Sequence, residues 1–235
     1  MYSDLFSQKS VQDLLTVLPS LPFALWETFY VTVVSTALSL VIGLPLGVIL
    51  VVGEKGGLAP LPGWLMKTIN VIINLLRSVP FLILMILLFP FTRAVVGTAV
   101  GTVASIVPLV VAAFPFVARL VESSLRELNP NIIEMSRSMG ASPMQTIIKV
   151  MIPEAMPSLI SNATIAITTI LGYTAMSGIV GGGGLGKIAI DYGYYRYKYL
   201  VMLLAVILLI IIVQVFQSIG THLSVKLDKR LKQNH

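Results

Sequence analysis

The sequence predicts an all-α integral membrane protein of about five transmembrane helices, carrying a polar loop of two short helices. Three observations lead there. Hydrophobic residues fill 56% of the 235 positions and charged residues 11%, whereas soluble domains carry about a quarter charged residues. The apolar residues gather into runs long enough to cross the roughly 30 Å hydrocarbon core of a bilayer. Between two of those runs lies one polar stretch, NPNIIEMSRSMGASPMQTIIKVMIPEAMP, from Asn129 to Pro157. The whole chain, 1–235, then reads as one transmembrane domain, with approximate spans at 23–52, 67–91, 94–118, 155–180 and 200–219 and a loop at 119–154.

Composition also excludes functions. There is no cysteine, which removes disulfide frameworks, thiolate metal sites and cysteine nucleophiles. The two histidines, His222 and His235, stand near the C-terminus and form no cluster for a metal or a triad. The net charge of +6 suits loops that face anionic lipid better than it suits nucleic acid. Residues 1–20 mix Asp4, Lys9 and Asp13 and lack a compact apolar core. The first insertion signal is therefore expected to be the first membrane helix rather than a cleavable leader.

The first run, Phe23 to Val52, is interrupted only by Glu27. As a helix it would be about 45 Å long, more than the hydrocarbon core, so it must tilt, bend or protrude. Gly43-Leu-Pro45-Leu-Gly47 offers a bend point and a close helix contact. Trp26 and Glu27 are placed at the interface. Gly53 to Gly63 is a turn. The second run, Lys67 to Phe91, is broken by Arg77 and Pro80. An arginine at mid-bilayer costs about 2.5–3.5 kcal/mol on insertion scales, so Arg77 is placed near the interface or against protein, with residues 64–76 partly along the surface. After a short turn at Pro90 to Arg93, the third span is expected to use Gly97 and Gly101 as a small-residue contact and to kink at Pro108 and Pro115. At its end Glu122 stands three residues from Arg119 and four from Arg126, so both pairs fit one helical face. They serve either a solvated helix end or a brace for the loop that follows.

That loop predicts its own helix ends. Asn129 caps the first helix and Pro130 opens it. Gly140 ends it in a left-handed turn. Ser142 caps the second, with Pro143 at the first position and Gln145 completing a capping box. Ile132, Met135 and Met139 share one face of the first helix, and Glu134, Arg137 and Ser138 another. A short amphipathic helix joined to a second by a glycine bend is a shape that docks in a partner's groove.

Residues 155–186 contain no charge. Ser158, Asn162, Thr169, Tyr173 and Ser177 are among their polar groups, and Asn162, Thr169, Gly172 and Met176 recur at helical spacing. In lipid such a row must face protein or a cavity, as interhelical hydrogen bonding or as a translocation path of Ser158, Asn162, Thr169, Tyr173 and Met176. GGGGLGK at 181–187 fits only part of a phosphate-binding loop: position 188 is isoleucine and no strand precedes it. It reads instead as a turn that lets backbones approach closely. Tyr192 to Tyr199 reads as an aromatic belt at a membrane boundary. With the polar loop inside, the inner loops hold ten Lys and Arg and the outer ones five, Arg77 left out. This agrees with the positive-inside rule, and puts the N-terminus outside and the C-terminus in the cytoplasm.

Glu134-Met135-Ser136, Gly140 after three residues, and Val150-Met151-Ile152-Pro153 after nine more resemble the EAA loop of ABC importer permeases (E-A-A, three residues, G, nine residues, I-x-L-P). Glu134, Gly140 and Pro153 match outright; Met135 and Ser136 replace the alanines. WET at 26–28, GLPLG at 43–47, RSVPF at 77–81, PFVARLVE at 115–122 and GGGGLG at 181–186 are similar to the methionine branch of that family. The resemblance implies a multi-pass permease subunit of a bacterial inner-membrane importer for methionine, D- or L-, working as a homodimer. It implies two cytoplasmic ATPases that hold ATP and magnesium, an extracytoplasmic methionine-binding protein, and no catalysis or cofactor on this chain. Ile132, Glu134, Met135, Ser136, Met139, Gly140, Ala141 and Pro153 would couple to the ATPase. Another small amino acid or zwitterion is the nearest alternative substrate. An ion-coupled secondary transporter would carry ionisable residues near mid-membrane; the only candidates are Glu27 and Arg77. A membrane enzyme would need a His, Cys or paired carboxylates in a span, and there are none.

Overall fold

A computed structural model describes residues 8–228; Asp4, Ser7, His235 and three of the ten inner cations, Lys229, Arg230 and Lys232, lie outside them. The described residues form helices and turns and contain no strand. The helices are α1 (Gln8–Val17), α2 (Leu21–Val52), α3 (Gly63–Ser78), α4 (Phe81–Leu87), α5 (Phe89–Val96), α6 (Ile106–Arg126), α7 (Pro130–Ser138), α8 (Pro143–Thr146), α9 (Ile152–Ser177), α10 (Gly184–Ile188) and α11 (Tyr199–Leu227). Wide, π-type turns at Ile147–Met151 and Ala189–Tyr194 follow α8 and α10. Four stretches are long and apolar enough to cross a membrane, and a fifth if α3 and α4 count as one broken span. Helices close their own backbone hydrogen bonds, which is what hydrocarbon demands of a spanning segment.

Two expected spans differ in form. The run 67–91 is not one helix: Pro80 has no N–H to give and pushes Val79 into extended backbone, ψ 127°, so α3 ends and α4 begins anew. The span 94–118 is divided as well. α5 passes through the expected turn at Pro90 to Arg93, and the chain then leaves helical form until Ile106. Gly97 and Gly101 lie in that break with φ of 85° and 115°. They are turn residues, not a helix contact.

The residues gather into two compact units. The first comprises Met1–Thr36, Pro80–Val110 and Ile167–Phe216. Its core is Val17, Leu21 and Ala24 against Leu185, Ile188, Ala189, Val201 and Ala205. Phe29 stacks on Phe216 at 5.8 Å. The second comprises Ala37–Val79, Val111–Ala166 and Gln217–His235. Here Val52, Val117, Val121, Leu125, Leu128, Met151, Ala155 and Leu159 pack together, and Leu50 with Met66, Ile73 and Ala118 forms a smaller cluster. The GLPLG glycines act in this second unit: a Cβ on Gly43 would lie 2.6 Å from Val117 Cγ1, and one on Gly47 2.5 Å from Val121 Cβ. Without side chains there, α2 and α6 approach to backbone contact.

The charged residues at the end of α6 are a brace. Arg119 donates to Glu122 at 2.7 Å, to Asn70 at 2.8 Å and to Asn74 at 3.0 Å. Asn70 and Asn74 stand one turn apart on α3, so one guanidinium holds two turns of that helix. Arg126 pairs with Glu122 at 2.9 Å and also with Glu54 of the turn after α2. The helix that leads into the polar loop is thus tied to α3 and to the 53–63 turn.

Candidate functional site

The loop after α6 builds its shape from its own side chains. Asn129 Oδ1 accepts from the Asn131 N–H at 3.0 Å, and Pro130 occupies the first turn of α7. At the other end Gly140 has φ 81°. Its N–H donates to Arg137 O at 2.9 Å, and the Ala141 N–H to Ser136 O at 3.2 Å. This pair of bonds closes a helix C-terminus around a left-handed residue. Ser142 accepts from the Gln145 N–H at 3.3 Å, and Gln145 Oε1 accepts from the Ser142 N–H at 2.9 Å. The capping box is complete.

Between the two helices Ser136 Oγ and Thr146 Oγ1 lie 3.1 Å apart, both buried. Ser136, expected among the coupling residues, lies at the floor of the groove beside Met135 and Met139 rather than on the exposed face. It holds α7 on the second helix. Ile133 and Ile147 seat the pair on the core of the second unit. The remaining apolar side chains stay uncovered: Met135 is 59% exposed and Met139 78%. With Ile132, Ala141, Gln145 and Val150 they line a groove of about 370 Å³. Glu134 and Arg137 are exposed beside it, as are Gly140 and Pro153.

The residues expected along a path separate by partner. Ser158 donates to Glu127 at 2.9 Å and lies 3.1 Å from Ser124 Oγ. The Asn162 amide donates to Leu120 O at 3.1 Å and to Ser124 Oγ at 2.8 Å. These two spend their donors joining α9 to α6. Further along α9, Tyr173 stacks on Phe81 with ring centroids 4.6 Å apart and planes 8° from parallel. Thr169 is half-buried, whereas Gly172 and Met176 are exposed. A Cβ on Gly172 would meet no atom within 4 Å. One strip of α9 thus remains open at Gly172 and Met176, with Thr169 and Tyr173 at its margin.

The sequence placed Glu27 at the interface and gave neither Glu27 nor Thr28 a partner. The Glu27 carboxylate accepts from the Gly184 N–H at 2.9 Å and from the Thr102 hydroxyl. Thr28 Oγ1 accepts from the Leu185 N–H at 2.9 Å. Two consecutive side chains of α2 therefore cap the first two amides of α10, and the glycine-rich turn is pinned to them. Gly184 has φ 80°, and any Cβ there would run into Thr28 Oγ1. The juxtaposition of an acidic residue in WET with the amides of GGGGLG was the available signal.

Among the described residues no group of three or more His, Cys, Asp or Glu is placed to hold a metal. Membrane-length helices, an open strip along one of them, and a self-capped loop that offers an apolar face describe a membrane subunit of a transporter moved by a docking partner. The chain belongs to the family described as the binding-protein-dependent transport system inner membrane component, which it matches over residues 43–229. It is 47% identical over 208 residues to the "Probable D-methionine transport system permease protein" of Vibrio cholerae, covering 88% of this chain and 92% of that one. It is 49% identical over 153 residues to the D-methionine transport system permease protein of Escherichia coli, covering 65% and 70%. Its fold is similar to a chain in the inward-facing MetNI methionine ABC transporter, with TM-score 0.89 and 44% identity over 91% of this chain and 99% of that one.

Proposed function

We propose that this chain is the permease of an ATP-driven methionine importer in the bacterial inner membrane. Two copies enclose the path. Two cytoplasmic ATPases bind ATP and magnesium and dock on the loop 129–157. An extracytoplasmic methionine-binding protein delivers the substrate. The N-terminus lies outside and the C-terminus in the cytoplasm. The observation that carries this reading is the loop: capped at both helices, with Met135 and Met139 uncovered and Ile132 half-buried beside them. Burying the two methionines in a partner offers about 1.5–3 kcal/mol each before ordering costs, and covering the rest of Ile132 adds to that. Glu134 sits at the rim of that contact, and Gly140, Ala141 and Pro153 set its geometry.

The exposed strip of α9 at Gly172 and Met176, with Thr169 and Tyr173 beside it, faces the second copy and the path. Ser158 and Asn162 hold the wall rather than line it. A neutral strip suits a zwitterion that carries no net charge. The names of the relatives support methionine. The deciding experiment reconstitutes the permease with its ATPase and binding protein and measures ATP hydrolysis across the amino acids. Stimulation by D- or L-methionine and by few others is the expected result. Stimulation by a different small zwitterion alone would move the substrate assignment.

A further inference from the structure

A tyrosine-rich tip occupies Tyr192–Tyr199, from the end of the wide turn after α10 to the first residue of α11. Tyr194 is 68% exposed, Tyr195 59% and Tyr197 73%. They are not loose. Tyr194 and Tyr195 pack edge to face at 5.3 Å, and Tyr197 and Tyr199 at 6.5 Å. The Tyr195 N–H donates to Ile190 O at 3.0 Å, and the Lys198 N–H to Tyr192 O at 2.8 Å. Lys198 Nζ pairs with Asp13 of α1 at 2.8 Å. The Arg196 guanidinium lies over the Tyr192 ring at 4.7 Å. Tyr197 has φ 57°, the one non-glycine residue with positive φ among those described. A bulky residue held there is strained, and such strain clusters where a surface is used.

The sequence read this segment as an aromatic belt at the lipid boundary. Tyr199 fits that role, because the apolar run of α11 starts beside it. Tyr194, Tyr195 and Tyr197 do not: they precede that run, with Arg196 among them and Lys198 after them. Rings that serve a lipid boundary need depth, not a fixed arrangement. Rings and an arginine fixed in advance are what a protein interface uses, because ordering costs are already met.

We infer that Tyr194, Tyr195, Arg196 and Tyr197 form the surface on which the external binding protein docks. This rests on the proposed importer orientation, in which α9 makes one crossing from the coupling loop at Pro153 to this segment. The family is described as binding-protein-dependent, and the proposed importer places that binding protein outside. The tip fits a partner with an apolar or aromatic patch flanked by a carboxylate that Arg196 pairs with.

The test uses the intact importer with its ATPases in nanodiscs, probed with the purified methionine-binding protein of the same organism. The double variant Tyr194→Ser/Tyr195→Ser should weaken binding at least about tenfold. Basal ATP hydrolysis should stay unchanged while stimulation by the binding protein falls, and Tyr194→Phe/Tyr195→Phe should recover most of the affinity. Unchanged affinity in the serine variant overturns the assignment. So does a loss that disappears when the nanodisc lipid is changed from anionic to zwitterionic, since that gives the rings to headgroups. If the unaltered importer does not bind this probe, the methionine reading has failed instead. Photo-crosslinking from position 195 in cells then decides the surface: a crosslink to a soluble substrate-binding protein of another specificity keeps it, and crosslinks to lipid alone overturn it.

Discussion

Gly140 and Glu27 show how differently single residues disclose themselves. Gly140 is legible because its partners are local: the residues that demand a left-handed turn lie within five positions of it, at Ser136 and Arg137. With φ 81°, any β-carbon there is strained. Gly140→Val is expected to leave the chain inserted and dimeric but to abolish transport, with weakened ATPase co-purification. Normal transport by that variant would remove the coupling role of the loop. Glu134→Ala should act in the same direction but less, since rim ion pairs are weak. Glu27 was read only as an interfacial charge, because the amide it caps lies 157 residues away. Hydrogen bonds to a charged group contribute about 1.5–3 kcal/mol. Glu27→Ala should therefore lower the thermal midpoint of the detergent-solubilised protein, and Glu27→Gln, which keeps an acceptor, should lower it less. Equal midpoints for all three proteins would mean that the turn holds itself.

At the scale of the element, hydropathy read the long helices and misread the breaks. α2 and α11 stand out because their apolar runs are long and carry few charges, Glu27 in the one and Lys226 near the end of the other. The break at 97–105 is glycine, serine, threonine, valine and alanine, whose hydropathy resembles that of a span, so only backbone conformation reveals it. The helices of the loop were legible to the cap, because their ends are written in side chains that act within three residues. α9 was half legible. Helical spacing gathered its polar residues, but spacing does not distinguish a donor that bonds to α6, as in Asn162, from a group left open. Met176, at the open strip, is 39% exposed. A flexible thioether closes a narrow passage without a fixed fit, so Met176→Ala is expected to loosen coupling. ATP hydrolysis without delivered substrate should rise, measured beside transport in proteoliposomes. Unchanged coupling in a well-folded variant would make Met176 plain packing.

For the whole molecule, the cysteine-free sequence makes topology directly testable. A cysteine at Ser138 should be labelled by a membrane-impermeant maleimide only from the cytoplasmic side, and one at Ser7 only from outside. Labelling of both from one side would exclude an odd number of crossings and settle against counting α3 and α4 as one span. Much surface that the chain leaves apolar is not a flaw of folding. Only 11% of the most apolar window of α11 is buried, and a lipid solvent makes no demand that the rest be covered.

The capped loop has a consequence for how such machines diversify. The caps and turns that shape residues 129–146 are bonds made inside that stretch, and Ile133, with Ile147, Met151 and Ile152 just after it, seats it on the core of the second unit. A mutation that alters Met135 or Met139 changes what the loop fits without disturbing how it is made. The motor connection can then drift, be inherited with a different ATPase, or be grafted between permeases as a cassette, while the spans that recognise cargo evolve under separate selection.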